Sequence, residues 1–399
     1  MSSEWKEVHL QDLVTLKRGY DLPKADRLDG EFPILASNGI TGFHNDFKVK
    51  GPGIVTGRSG TLGEVIFING DFWPLNTTLY GKEFHGNDIK FVYYFLKTLH
   101  LENYNSGSSV PTLNRNHIHS LPVKIPCKHE QYKIGLTLSS LDDKIELNKA
   151  INKNLEEMAQ ALFKHWFIDF EFPNEDGEPY KSSGGEFEES ELGFIPKGWR
   201  YGKATDVFDI GSGGTPKTGV NNYWNGTIPF FTPKDTQNSF YAIDTEKHIT
   251  EVGLDNCNSK LYLTNTVFIT ARGTVGKVML AGSPMAMNQS CYALIAKSGY
   301  TQSFVFLFIK VLVSVLKKNA SGAVFDAITV STFQNLKTII PPVSLISQFS
   351  EIVESLFLNV LTITFENSKL ISLRDSLLPK LMSGEIRVPI DEQEQVSNN

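Results

Sequence analysis

The sequence predicts an α+β chain with two similar domains, separated by two long helices that pair as an antiparallel coiled coil and give one polypeptide a pseudo-two-fold plan. Three observations carry this prediction: an internal repeat over most of the chain, a heptad pattern of apolar residues after each copy, and an acidic stretch between the first helix and the second copy. The boundaries follow as a first domain over 1–128, a central helical spacer over 129–168 and an acidic linker over 169–198. The second domain covers 199–343, a C-terminal helical spacer 344–388 and an acidic tail 389–399.

The repeat comes first, because periodic self-similarity decides the architecture before any local motif does. "TGRSGTLGEV" (56–65) returns as "TARGTVGKV" (270–278) with one residue lost, which sets Arg58 against Arg272 and Gly63 against Gly276. "LNTTLY" (75–80) returns as "MNQSCY" (287–292), and an apolar helical run follows each, "DIKFVYYFLKTL" and then "TQSFVFLFIKVLVSVLKK". Ser106-Gly107 and Ser321-Gly322 precede the endings "LPVKIP" and "LKTIIP" at a constant offset of 215.

Each ending opens a long helix. In the first, Ile134, Leu138, Leu141 and Ile145 step by four and three residues, and the seam resumes at Leu155, Ala159, Leu162 and Trp166. Asn148 and Asn152 interrupt it, and a polar residue at a seam position gives up stability to fix one register. The second helix shows Ile352, Leu356, Asn359, Ile363, Leu370, Leu373 and Leu377 at similar spacing. Each domain precedes its own helix. Antiparallel pairing therefore sets the domains at opposite ends and leaves the linker a short path. Lys144, Glu146, Lys153 and Glu156 are assigned to charged outer faces open to partners.

Composition bounds the function. At 399 residues the chain exceeds one small core. "MSSEWKEVHL" carries no secretory signal, and the most apolar run, "FVFLFIKVLVSVL", is too short to span a bilayer. A cytoplasmic protein with no membrane partner is expected. Cys127, Cys257 and Cys291 lack the spacing of a metal site. The net charge of -6 argues at first against nucleic acid, yet nine acids against two bases fall within 169–198, while 199–343 holds thirteen bases against eight acids. The acidity belongs to segments that read as solvated linker and tail. DNA is not excluded.

From Ile134 to Leu162 the helix advances roughly 42 Å at about 1.5 Å per residue, a little more than the 34–36 Å of one duplex turn. Such a helix pair would hold two domains on successive major grooves.

The doubled order, "LPVKIP" followed by "SLDDKIELNKAINKNLEEMAQALFKHWF", the entry "GFIPKGWR", "IGSGGTPKTGVNNYWNGTIPFFTPKD" and the closing "LLPKLMSGEIRV" resemble the specificity subunit of type I restriction-modification enzymes, over nearly the whole chain. The resemblance implies a non-catalytic chain whose two target recognition domains read a bipartite double-stranded DNA site. It further implies that the helices bind two methyltransferase subunits and that restriction subunits join them. This chain would then bind no cofactor; S-adenosylmethionine belongs to the methyltransferase, and ATP and Mg to the restriction subunit. The alternatives are a self-contained DNA-modifying enzyme with an unrecognised site, or a repeat scaffold that binds protein only.

The motifs weigh against chemistry in this chain. "GSGGTPKT" (211–218) has Pro216 where a phosphate loop needs glycine. The single Pro-Pro, Pro341-Pro342, is followed by Val343 rather than the aromatic residue of an amino-methylating motif. His117 and His119 lack metal spacing and fit a surface or loop role.

For DNA contact, Arg58 and Arg272 each lie between a strand-like run and a Gly-rich turn. A guanidinium there can reach guanine or a phosphate, or the motif is a structural turn; the residues leave both open. With Arg58 go Ser59 and Thr61, and with Arg272 go Thr274 and Lys277. Specificity belongs where the halves differ. Trp5 to Arg58 spans 53 residues and Trp199 to Arg272 spans 73, so the second domain has 20 more. Its loop candidates are Thr215, Lys217, Asn221, Thr232 and Lys234; those of the first domain are Ser37, Asn38, Thr41, His44 and Lys48. Asn76 and Asn288 read as structural amides, and Trp5 and Trp199 as core anchors at each domain's entry.

Overall fold

The computed structural model describes residues 5–107, 109–319 and 327–389. The chain divides into two compact units, Met1–Glu146 with Lys369–Asn399, and Leu147–Ser368. The division falls within the long helices, Lys128–Phe167 and Val343–Ser383, so each unit owns one domain and part of each helix. The two helices match the expected spacers to within a residue except at the C-terminus, where helix ends at Ser383 rather than near 388.

In the first unit a four-stranded antiparallel sheet runs in the order Thr15–Arg18, Thr78–Glu83, Gly53–Gly57, Val65–Ile68. Beside it, Phe32–Ala36 pairs antiparallel with Gly39–His44 and parallel with Trp73–Pro74. Lys6–His9 and Pro122–Ile125 close the domain as a ribbon. The helix Ile89–Thr98 starts where the Asp88 carboxylate accepts the Phe91 N–H at 2.8 Å. Its Phe91, Val92, Tyr94 and Phe95 are buried with Ile54 and Leu79 of the sheet.

The second unit repeats the plan strand for strand. Its main sheet runs Phe208–Ser212, Cys291–Ala296, Val267–Thr270, Val278–Ala281, then Tyr241–Ala242. Trp224–Phe231 pairs antiparallel with His248–Ile249 and parallel with Ala286–Met287, and Arg200–Lys203 with Lys337–Ile340 makes the ribbon. The extra residues of this domain supply the added edge strand Tyr241–Ala242, the turn Pro233–Asp235 and the short helix Glu251–Asp255. Ser321-Gly322 and residues 390–399 of the tail lie outside the described residues.

The helices pair antiparallel within each unit. In the second, Phe163 meets Phe349, Asn152 Nδ2 donates to Val360 O at 3.3 Å and Thr364 Oγ1 at 3.1 Å, and Asn148 Nδ2 donates to Glu366 Oε2 at 2.9 Å and Asn367 Oδ1 at 3.0 Å. One number falls as the other rises. The asparagines that interrupt the first seam thus form its polar layer, and a shifted register would bury those amides without partners. In the first unit Arg374 Nη1 donates to Asp142 Oδ1 at 2.6 Å, and the Tyr94 hydroxyl donates to Asp142 Oδ2 at 2.5 Å. Burial pushes the Tyr94 phenol up, and its bond to Asp142 adds to that.

Three expectations are corrected. The buried line of the C-terminal helix is Ile346, Phe349, Val353, Phe357 and Val360, not the seam through Ile352, Asn359 and Leu373, of which Ile352 is 48% and Leu373 46% exposed. Apolar residues on two faces of this helix allow either stripe by spacing, and aromatic bulk settles which one fills the core. The linker 169–198 is not simply solvated: Phe172 stacks between Tyr180 and Trp199, Ile195 is buried, and Phe187–Ser190 pairs with Gly193–Pro196. Its acids sit on the outside of an aromatic clasp around Trp199. Glu156 is not on an outer face; its carboxylate turns inward to accept the Phe240 N–H at 2.8 Å, and burial raises its pKa.

Candidate nucleic-acid interface

The repeated Gly-rich turn is built by a buried threonine. Thr56 Oγ1 donates to Glu64 O at 2.8 Å; in the second domain Thr270 Oγ1 donates to Thr274 O and accepts the Lys277 N–H at 3.0 Å. A Cβ on Gly57 would stand 1.9 Å from Thr61 O, so the longer turn of the first domain needs glycine there, whereas Ala271 takes that place in the second domain, whose turn is one residue shorter. The structural reading of this motif therefore holds for its threonines and glycines.

The arginines differ. Arg58 is half-buried, and its Nε donates to Asn76 O at 2.9 Å. Burial lowers its pKa and the charge of Arg18 lowers it further. Arg272 is exposed and, among the described residues, makes no hydrogen bond or ion pair. Arg58 is pinned at one nitrogen with its terminal NH groups left over, whereas no nitrogen of Arg272 is engaged by a described residue. Replacing Arg272 by Ala should leave folding unchanged. If it reads guanine, discrimination at one base falls by about 1–3 kcal/mol; if it holds a phosphate, binding weakens alike on all sequences with a shallower salt slope. Binding isotherms on a panel of single-base variants separate the two.

Around the first turn the fold gathers several predicted residues. Ser37 Oγ lies 3.3 Å from the Cβ position of Gly60, Asn38 is exposed beside it, and Ser59 bridges to Thr112. Thr61 is exposed on the same turn. Thr41 is exposed, its hydroxyl donating to Ile34 O at 3.4 Å. Lys48 pairs with Asp46 at 3.3 Å and lies over the Trp73 ring. His44 is a correction. It is 5% exposed, its Nδ1 accepts the Leu28 N–H at 3.1 Å, and its ring meets Trp73 edge-on, so it supports the loop and cannot reach a base.

In the second domain Thr215 bonds Gln289, and Lys217 and Asn221 are exposed on the loop whose Lys217 carbonyl accepts from Trp224 Nε1 at 3.3 Å. Thr232 caps a turn, its hydroxyl bonded to Asp235 Oδ2 at 2.7 Å, so its polar group is already engaged; Lys234 next to it is exposed. Thr274 and Lys277 are exposed on the hairpin that carries Arg272. The amides of Asn76 and Asn288 serve the fold: Asn76 bonds Asp21, and Asn288 Oδ1 accepts the Ser290 N–H at 3.0 Å. His119 likewise accepts the Leu16 N–H at 3.0 Å. Among the described residues no group of three or more His, Cys, Asp or Glu is placed to hold a metal.

Sequence reasoning missed Arg18, which ends the first strand of the main sheet beside this turn. Its signal was available in "LKRGY", a basic pair before a glycine at a strand end.

Two globular modules with matched scaffolds and different polar loops define a duplicated protein. The sequence profile described as "Type I restriction modification DNA specificity domain" matches residues 2–157 and 196–373. The chain belongs to this family, and is a non-catalytic DNA-specificity component of the type I restriction-modification class. It is 28% identical over 332 residues to the HindI specificity subunit of Haemophilus influenzae, covering 70% of this chain and 72% of that one. It is 27% identical over 307 residues to the MjaIX specificity subunit of Methanocaldococcus jannaschii, covering 75% and 69%. The crystal structure of a type I restriction-modification S subunit from M. genitalium shares the fold, with a TM-score of 0.66 at 19% identity over 95% of this chain and 96% of that one.

Proposed function

We propose that the chain reads a bipartite DNA target, one half-site per domain, and assembles two methyltransferase subunits and the restriction subunits on it in the cytoplasm. S-adenosylmethionine is then bound by the methyltransferase, and ATP and Mg by the restriction subunit. The observation that supports this reading best is the strand-for-strand duplication with divergent loops: a shared scaffold needs two equivalent partners, and different loops need two different sequences. The helices have surface to offer those partners. Leu136, Leu147 and Met158 of the central helix are 47%, 56% and 56% exposed, and Ile352, Leu358 and Leu373 of the C-terminal helix are 48%, 64% and 46% exposed. The same apolarity gives the C-terminal helix an 18-residue window of mean hydropathy 1.2. Its inward face carries Glu366 and Arg374 in hydrogen bonds, which suits a protein partner rather than lipid.

The test is an exchange of residues 199–343 for the corresponding domain of another specificity subunit. Both strands of the Arg200–Lys203 and Lys337–Ile340 ribbon travel together in that graft, and the incoming domain must bring a tryptophan at position 199 because the clasp closes on it. Methylation mapping should show one half of the target replaced and the other intact. A change in both halves would refute one reader per half-site.

A further inference from the structure

We infer that Arg18 and Arg58 form a two-pronged clamp for one backbone phosphate of the first half-site, with no counterpart in the second domain. The inference rests on the DNA-reading role proposed above and names a contact within it.

The sheet puts the two residues together. Thr15–Arg18 and Gly53–Gly57 flank the strand Thr78–Glu83, and Arg18 and Thr56 are both register partners of Leu79. Past that pair each chain holds on to the segment leading into the middle strand: the Gly19 N–H donates to Thr78 O at 3.1 Å and the Arg58 N–H to Thr77 O at 2.8 Å. A Cβ on Gly19 would lie 2.3 Å from Leu75 O, so the glycine after Arg18 is what lets this chain come so close. Both guanidiniums therefore issue from one end of one sheet, on either side of residues 76–78.

Neither is neutralised there. Arg58 uses its Nε on the Asn76 carbonyl, and Arg18 is exposed. Among the described residues neither forms an ion pair. The nearby carboxylate that could serve, Asp21, takes the Asn76 amide instead. Two like charges held side by side repel, and burial has already made the charged form of Arg58 less favourable. A shared anion removes both costs. Two planar forks around one tetrahedral oxyanion suit a phosphate, and the DNA backbone is the phosphate this chain meets.

The second domain shows the contrast. There Ser212 pairs with Tyr292, the repeat counterpart of Tyr80, which Lys17 faces in the first domain. The next residue, Gly213, is thus the counterpart of Arg18 and carries no side chain. One arginine, Arg272, remains.

The test is the full-length chain, co-expressed with the methyltransferase subunits of its system, as wild type, Arg18→Ala and Arg18→Lys. Affinity for the cognate duplex and for duplexes altered at single bases is measured from about 50 to 200 mM salt. Arg18→Ala should reduce the log–log salt slope by up to about 0.9, the value for one phosphate left wholly without a counter-charge, because Arg58 stays on the same phosphate. Salt sensitivity over the fourfold range then falls by up to about threefold, equally for every duplex, and Arg18→Lys restores the slope. An unchanged slope in Arg18→Ala, or a loss confined to one base position, overturns the clamp while wild-type discrimination leaves the DNA-reading role standing. If the wild-type assembly prefers no duplex, that role fails and the clamp falls with it.

Discussion

Replacing Arg387 by Ala should destabilise the first unit by about 2–3 kcal/mol and release the chain after the C-terminal helix. The reason lies in Glu130, in the first turn of the central helix, whose side chain is 1% exposed. Arg387 Nε donates to Glu130 Oε1 at 2.5 Å and its Nη2 to Oε2 at 2.7 Å, a fork on both carboxylate oxygens. The bond to Glu130 holds the Arg387 guanidinium above its ordinary pKa. Removing one partner of a buried pair costs about 3–5 kcal/mol, because the remaining charge has lost both water and counterion. The loss here falls at or somewhat below the bottom of that range, since Arg387 is 35% exposed and its departure opens a path for solvent. Beside Glu130, Gln131 donates from Nε2 to Asn87 Oδ1 and Pro126 O at 3.0 and 3.1 Å, which docks this helix end onto the domain. Amide hydrogen exchange should therefore rise both over 384–389 and in the first turns after Lys128. Removing both charges, Glu130→Leu with Arg387→Leu, should recover most of the loss, because no unpaired charge stays behind. A single variant with an unchanged urea midpoint and unchanged exchange would show that the pair contributes nothing.

The first helix and its seam were legible in the sequence because Leu138 and Ile145 face the core with polar neighbours on both sides. The C-terminal helix was not, because Ile352, Leu358 and Leu373 are as apolar as Val353, Phe357 and Val360; only the three-dimensional fit of the bulky rings decides between them. Charge misled in the linker for a related reason. Nine acids mark 169–198 as solvated, but Phe170, Phe172, Tyr180 and Phe187 lie among them, and those rings outweigh the acids once Trp199 is there to cover. The repeat located the Gly-rich turns, because Thr56 and Gly63 are fixed by backbone geometry that both domains share. It could not find Arg18, since a residue present in one copy only leaves no trace in a comparison of the two. His44 illustrates the opposite limit: a polar side chain in a loop looks like a reader until its ring is found beneath Trp73.

Deleting one heptad from each long helix should abolish binding to the native target and select sites with a shorter spacer. Residues 145–151 and 365–371 are the pair to remove. Asn148 leaves together with Glu366 and Asn367, so no amide of that layer is stranded. Asn152 keeps Val360 and Thr364, and Asp142 keeps Arg374. Seven residues are two turns of helix, which restores the facing stripes on either side of each cut and shortens the helix by about 10 Å at 1.5 Å per residue. A shift of about 10 Å along a duplex is about three base pairs at 3.4 Å each, and it also turns the bases beneath a domain by nearly a third of a helical turn. On the native target one domain would then face backbone instead of groove. Binding should fall toward its non-specific level, a loss of about 10³-fold or more, while each domain keeps its own half-site preference. Selection from duplexes with randomised spacer lengths reads the outcome directly. Recovery of the native spacer at native affinity would mean that the helices do not set the distance.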